Sequence, residues 1–140
     1  MDALRVETLR KTFTTDRGGV KAVEDVTFTV EDGQFYTLLG PSGCGKTTTL
    51  RSIAGLERPE DGTIHLGERL LSGNGHFTPP HLRDVGMVFQ SYAIWPHMSV
   101  FQNVAFPLDV TRPRLSRAQT QRAVTEALAL VGLEGLEDRP

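Results

Sequence analysis

The chain has 140 residues, 15 of them basic and 17 acidic, for a formal charge of −2. That length suits one domain with a substantial core, and the faintly acidic balance with scattered arginines excludes a concentrated basic face for gripping nucleic acid. A single cysteine, Cys44, excludes an internal disulfide and is compatible with a reducing cytoplasm, and no stretch is long and apolar enough for a signal peptide or a membrane span, so a membrane role is expected to work through a separate partner.

In chain order, residues 3–13 alternate loosely and run toward a turn signal at Asp16-Arg17-Gly18-Gly19. Residues 20–30 alternate better, with Val26, Phe28 and Val30 on one face and Thr27 and Thr29 on the other. The two stretches predict antiparallel strands. After a turn at Glu31-Asp32-Gly33, the apolar run 35–39 predicts a strand and residues 46–56 predict a helix, ended by Arg58-Pro59-Glu60-Asp61-Gly62. Residues 63–66 read as a short strand, the Gly-, Asn- and Pro-rich stretch 71–80 as loop, and 85–89 as a buried strand ending at Gln90. Leu70 and Leu71 read as core. Beyond lie a short helix over 100–105 stopped near Pro107, with core residues in 104–106, and a connector at Arg112-Pro113-Arg114-Leu115. A last helix starts from a capping box at Ser116 and Gln119, carries Val124, Leu128 and Val131 on one stripe with Ala127 filling in, and is capped by Gly132.

Between the strand 35–39 and its helix lies Gly40-Pro41-Ser42-Gly43-Cys44-Gly45-Lys46-Thr47. Two glycines four residues apart, followed by Lys and Thr, are the spacing of a phosphate loop in the context such a loop needs. Glycines let the backbone close around an oxyanion. The N–H groups of Gly43, Cys44, Gly45 and Lys46 can point inward, and the helix presents its positive end. Lys46 is then expected to reach the β- and γ-phosphates, and Thr47 to place its hydroxyl on Mg²⁺. Cys44 reads as a small loop residue whose backbone amide matters. No partner histidine stands near it in sequence to make its thiol a nucleophile. His65, His76 and His81 lack metal-ligand spacing and read as surface residues.

Four segments carry a wider resemblance: residues 40–49; Glu57-Arg58-Pro59-Glu60-Asp61-Gly62; Arg83-Asp84-Val85-Gly86-Met87-Val88-Phe89-Gln90; and Tyr92-Ala93-Ile94-Trp95-Pro96-His97-Met98-Ser99-Val100. By these the chain resembles, from about Leu4 to its last residue, the ATP-binding subunit of ABC transporters, in the group of bacterial importers for ferric iron, polyamines, sulfate and similar solutes. The resemblance implies an α/β fold: a P-loop NTPase (RecA-like) core with an antiparallel β subdomain and the start of a helical subdomain, the C-terminal part of that fold being absent. It divides the chain into 1–90, the β subdomain and phosphate-loop core, and 91–140, the glutamine loop and the start of the helical subdomain. It also implies ATP and Mg²⁺ as ligands, with Gly40, Ser42, Gly43, Cys44, Gly45, Lys46, Thr47 and Thr48 holding the nucleotide and Thr48 near the α-phosphate. Phe13 corresponds to the aromatic residue that stacks on adenine, the alternative being a core phenylalanine. Gln90 corresponds to the glutamine that completes the Mg²⁺ shell and holds the attacking water, so Lys46 and Gln90 are the catalytic candidates. Tyr92, Ile94 and Trp95 fall in the region that docks the membrane subunit, the alternative being local packing. His97 is not the family's switch histidine, which lies later than this chain reaches.

The resemblance further implies a head-to-tail dimer of ATP-binding subunits, peripheral on the cytoplasmic face of the inner membrane. Its permease partners would dock on residues 90–98, and no nucleic acid would be bound. The signature motif and the acidic strand that supplies the general base have no counterpart here. Leu71-Ser72-Gly73-Asn74-Gly75 mimics the first but precedes Gln90 and reads as a hairpin or loop turn, and Phe28-Thr29-Val30-Glu31-Asp32 mimics the second but precedes the phosphate loop. The chain is therefore expected to be the N-terminal portion of a longer subunit, binding nucleotide without efficient hydrolysis and marginally stable alone. The competing expectation is a soluble ABC-type ATPase of DNA repair or translation.

Overall fold

The computed structural model describes residues 2–16, 18–110 and 113–140; Arg17 of the predicted first turn and Arg112 of the predicted connector lie outside them. The chain forms two compact units, one ending at Met87 and one running from Val88 to Pro140.

The first unit is built on an antiparallel sheet. Strands β1 (Asp2–Thr15) and β2 (Gly18–Glu31) form a long hairpin, and β3 (Asp61–Leu66), β4 (Arg69–Gly73) and β5 (His76–Phe77) complete the order β2-β1-β3-β4-β5. Alternation sets the hairpin's faces as expected: Val26, Phe28 and Val30 are half-buried and Thr27 and Thr29 exposed. The hairpin is not regular. Its register shifts between Val6 and Leu9, where Thr8 takes φ 46° and its N–H donates to Thr27 Oγ1 at 2.8 Å. It shifts again where Lys11 pairs with Val23 and Thr12 with Lys21, leaving Ala22 as an extra residue that bulges the strand.

Helix α1 (Lys46–Ala54) lays Ile53 on one face of this sheet, in a core with Val6, Leu9, Val23, Ile64 and Leu71. Burial of such side chains stabilises by about 1.5–3 kcal/mol each. The helix stops at Gly55, whose left-handed φ of 80° lets the N–H groups of Gly55 and Leu56 turn back onto Ser52 O and Arg51 O.

Part of the stretch 71–80, expected to be loop, is instead the β4–β5 hairpin. Ser72 pairs with Phe77 and Gly73 with His76 across Asn74-Gly75, both in the left-handed region at φ 51° and 80°. Asn-Gly is the two-residue turn whose twist suits paired strands. Strands were also expected at 35–39 and 85–89, and neither forms one. Phe35, Leu39 and Val88 are 93%, 96% and 97% exposed. A strand is a pairing as much as a propensity, and among the described residues these segments have no neighbour to pair with.

In the second unit, α2 (Val100–Val110) and α3 (Arg117–Leu130) pack through Ala105, Val124 and Leu128. The predicted stop near Pro107 does not occur: α2 runs through Pro107 to Val110. Proline removes one helical hydrogen bond, but Val104 and Leu108, on either side of it, both pack on the shared core and hold the turn together. Helix α3 begins at the expected box, Gln119 N donating to Ser116 Oγ at 3.3 Å and Ser116 N to Gln119 Oε1 at 2.8 Å. Val124 and Leu128 are buried as read, whereas Val131 lies just past the last helical residue and is 67% exposed. Gly132, at φ 70°, follows the helix as expected.

Candidate functional site

The loop between residue 39 and α1 is shaped by two left-handed glycines, Gly43 at φ 81° and Gly45 at φ 91°. Gly45 is the N-cap of α1 and offers no side chain there. Its Cα passes against the bulge of β2, so a Cβ would collide with Ala22 O and press on Val23 Cγ2. The extra residue in β2 therefore makes the seat on which the loop turns into its helix. Cys44 N donates to Pro41 O at 3.4 Å, and a Cβ on Gly40 would stand 2.6 Å from Cys44 Sγ, so the loop closes on itself only around glycine.

The first α1 amide with an intrahelical acceptor is that of Thr49, 2.8 Å from Gly45 O. The amides of Lys46, Thr47 and Thr48 belong to the first turn, which finds no acceptor within the helix. No acidic side chain lies in that turn, so nothing opposes its positive end. Lys46 Nζ arches back over the loop, donating to Gly40 O at 2.6 Å and Pro41 O at 2.7 Å, with Cys44 Sγ 3.4 Å away. Ser42, Gly43, Cys44 and Thr47 are exposed and Thr48 is half-buried. The first-turn amides, the Lys46 ammonium and the exposed Thr47 hydroxyl are groups that a polyphosphate and a hard cation can use, whereas the Cys44 amide, expected to point inward, is turned to Pro41 O.

Phe13, expected to stack on adenine, lies on the long hairpin. It pairs with Val20 near the hairpin's turn and is 38% exposed, which removes it from the core. Lys11 Nζ lies 5.1 Å from its ring centroid and is itself held by Glu57 at 2.8 Å and by Arg58 O at 3.0 Å. One face of the ring thus rests on a cation that is already anchored. This role of Lys11 beneath Phe13 was not legible in the sequence, because its partners come from beyond the far end of α1.

A cavity of about 580 Å³ lies beside the loop, reaching Lys46 and Thr47 but walled mainly by Leu4, Phe28, Tyr36 and Leu50. Its walls are mostly apolar, which does not suit a triphosphate, so the exposed loop is the candidate anion site. Tyr36 stacks on Phe28 here at 4.9 Å and 8° between ring planes. Among the described residues no three His, Cys, Asp or Glu side chains gather to hold a metal ion. Mg²⁺ keeps waters and phosphate oxygens and takes few protein ligands, and the exposed hydroxyl of Thr47 fits as one such ligand. His76 and His81 are exposed as read, but His65 is half-buried on β3 opposite Arg5.

Gln90 opens the second unit, exposed, in a tight turn where Tyr92 N donates to Phe89 O at 3.2 Å. Tyr92 and Ala93 both adopt left-handed backbone, at φ 61° and 51°, an arrangement that costs energy for residues with a Cβ. Tyr92 and Ile94 are 83% and 66% exposed, while Trp95 packs on Phe106 with ring centroids 4.4 Å apart. Asn103, overlooked in the sequence, secures this turn: its Oδ1 accepts from Trp95 N, and its Nδ2 donates to Trp95 O, Met98 O and Ser99 O, all within 2.9–3.2 Å. Among the described residues no helix is long and apolar enough to cross a membrane.

A family model described as "ABC transporter" matches residues 23–140. The chain is 53% identical over 119 residues to the trehalose/maltose import ATP-binding protein MalK of Thermococcus litoralis, covering 83% of this chain and 32% of that protein. It is 47% identical over 137 residues to the spermidine/putrescine import ATP-binding protein PotA of Rubrobacter xylanophilus, covering 98% and 34%. It is 47% identical over 133 residues to the Fe(3+) ions import ATP-binding protein FbpC of Agrobacterium fabrum, covering 95% and 35%. The chain thus spans about a third of the length of these curated relatives. Among solved structures, the dimeric MJ0796 bacterial ABC transporter cassette superposes with a TM-score of 0.81 at 24% identity, and its dimeric post-hydrolysis state bound to ADP and Pi with 0.79 at 22%. Each covers 97% of this chain, which spans 60% of that one, and the likeness shows the α/β cassette fold. On a match that extends through the loop, the glutamine turn and both helices of the second unit, the chain belongs to the ABC transporter family.

Proposed function

We propose that this chain binds Mg²⁺·ATP on residues 40–48 and is the nucleotide-binding part of an ATPase subunit that energises uptake of a small solute. The observation that carries the reading is the first turn of α1: its amides are held forward by Gly45 on the β2 bulge, beneath an ammonium clasped by the loop's own carbonyls. The names of the relatives, all import ATP-binding proteins, support the solute-uptake part.

In this reading the amides of Gly43, Gly45 and Lys46 enclose the β-phosphate, and that of Cys44 joins them by leaving Pro41 O. Lys46 exchanges its two carbonyl partners for β- and γ-oxygens, Thr48 lies near the α-phosphate, and Gly40 and Ser42 shape the rim. Phe13 offers its free face to adenine, with Lys11 holding the ring from behind. Thr47 would contribute one oxygen to the magnesium ion, and the resemblance gives Gln90 the role of a second ligand that also holds water. Magnesium, when bound, neutralises phosphate charge. Phosphoryl transfer is nearly all positioning and charge stabilisation, and the resemblance gives none of these residues the role of general base. The chain by itself therefore holds nucleotide and turns it over poorly.

The wider reading follows the family: two subunits closing head to tail on ATP, permease subunits docking on residues 90–98, and a peripheral place on the cytoplasmic face of the inner membrane. The strained turn at Tyr92 and Ala93 and the exposed Tyr92 and Ile94 support that docking face. The names of the relatives do not favour a repair or translation ATPase.

The test is calorimetric titration of the chain with ATP in the presence and absence of Mg²⁺. Saturable binding that is strengthened by Mg²⁺ and lost on Lys46→Ala is expected. Binding that ignores Lys46 would place the nucleotide elsewhere.

A further inference from the structure

The most deeply placed cation of the first unit is Arg83, with no measurable exposure. Among the described residues no ion pair involves it, and its partners are neutral. Nη1 donates to Ser52 O at 2.7 Å and Ile53 O at 2.9 Å, Nε to Thr78 O at 2.7 Å, and Nη2 to Leu71 O at 3.4 Å. The guanidinium carbon lies 4.8 Å from the centroid of Phe77. Burial pushes its pKa down, with the charge of Arg69 adding to the effect, yet arginine remains charged.

Two of those acceptors are last-turn carbonyls of α1: Ile53 O, and Ser52 O, which also accepts from Gly55 N at 3.2 Å. A cation there also complements the negative end of the helix. The other two belong to β4 and to the segment after β5, so one planar fork ties the helix to the sheet edge. Gly55 is shaped for this: a Cβ there would lie 2.5 Å from Arg83 Nε and 2.9 Å from Cζ. Helix α1 has only nine residues, too few to persist in water without tertiary anchors. It is pinned at its N-terminus by Gly45 against Ala22 and on its flank by Ile53.

We infer that Arg83 is a positioning residue for the phosphate loop: by gripping the C-terminal carbonyls of α1 it fixes the orientation of the helix, and with it the amides of Lys46, Thr47 and Thr48. The inference rests on the nucleotide-binding reading for its consequence, but its structural half is measurable without nucleotide. Lysine cannot replace the fork, since one ammonium does not span acceptors on α1, β4 and the segment following β5.

The experiment is residue-resolved amide exchange on the intact chain and on Arg83→Lys and Arg83→Ala, with Mg²⁺·ATP titrations alongside. The amides of Thr49, Leu50 and Ser52 are expected to exchange roughly tenfold faster or more in both variants, while those of Val6 and Ile64 hold their protection. Affinity for Mg²⁺·ATP is expected to fall roughly tenfold, and millimolar guanidinium to restore both properties in Arg83→Ala. Unchanged α1 exchange would overturn the inference. So would an equal loss at Val6 and Ile64 that guanidinium does not reverse, because it would make Arg83 a general fold residue. An intact chain that binds no Mg²⁺·ATP would sink the proposed function, while the exchange arm would still decide what Arg83 does.

Discussion

At the scale of single residues, two predictions separate charge from shape. Lys46→Ala removes one charge-assisted contact to phosphate, worth about 1.5–3 kcal/mol, so the Kd for Mg²⁺·ATP should rise roughly ten- to a hundredfold. Lys46 Nζ bonds to loop carbonyls and Cys44 Sγ and not to the sheet core, so the thermal midpoint should stay near that of the parent chain. Gly45→Ala should affect both stability and binding. A Cβ at φ 91° facing Ala22 O is strained in both backbone and contact, at a cost of roughly 1–3 kcal/mol. It should lower the denaturation midpoint measurably and weaken nucleotide binding with it. A midpoint unchanged in Gly45→Ala would show that the β2 bulge does not seat the loop.

At the scale of elements, the second unit offers its own reporter. Trp95 is the only tryptophan of the chain and is held by Asn103 through both backbone groups of the residue. Asn103→Leu deletes those bonds along with the ones to Met98 O and Ser99 O. Trp95 emission should shift to longer wavelength as the turn opens, while far-UV dichroism from the sheet stays unchanged. Helix α3 supplies a second measurement. Ser116→Ala removes the capping hydroxyl, a loss of about 0.5–2 kcal/mol. The α3 amides should exchange faster, while those of the first unit's sheet should not respond.

At the scale of the whole molecule, the exposed apolar segments decide behaviour in solution. Phe35 and Leu39 present nearly complete side chains to water on an extended stretch without a strand partner. Unpaired backbone beside apolar surface is a template for association. The chain should scatter light increasingly with concentration and bind a hydrophobic dye. Replacing both residues by Lys should reduce both signals with little change in the thermal midpoint, since neither side chain is buried. A monodisperse parent chain that ignores the dye would contradict this.

Local chemistry made much of the protein legible from its sequence. The long hairpin followed from alternation, α3 from its capping box, and the tight loop ahead of α1 from glycine spacing, because each is set by residues adjacent in the chain. The β4–β5 hairpin was half hidden: Asn74-Gly75 marked its turn, but the flanking glycine and prolines read as loop. Helix α2 outran Pro107 because packing on α3 outweighed one missing hydrogen bond. The strands expected at 35–39 and 85–89 had the right composition and nothing to pair with. Tertiary structure alone decided the rest: the bulge at Ala22 that seats Gly45, Lys11 beneath Phe13, Asn103 within the Trp95 turn, and Arg83 across α1 and the sheet. Each joins segments far apart in the chain or depends on a register shift, and such contacts arise from three-dimensional closure, which no local pattern of residue types encodes.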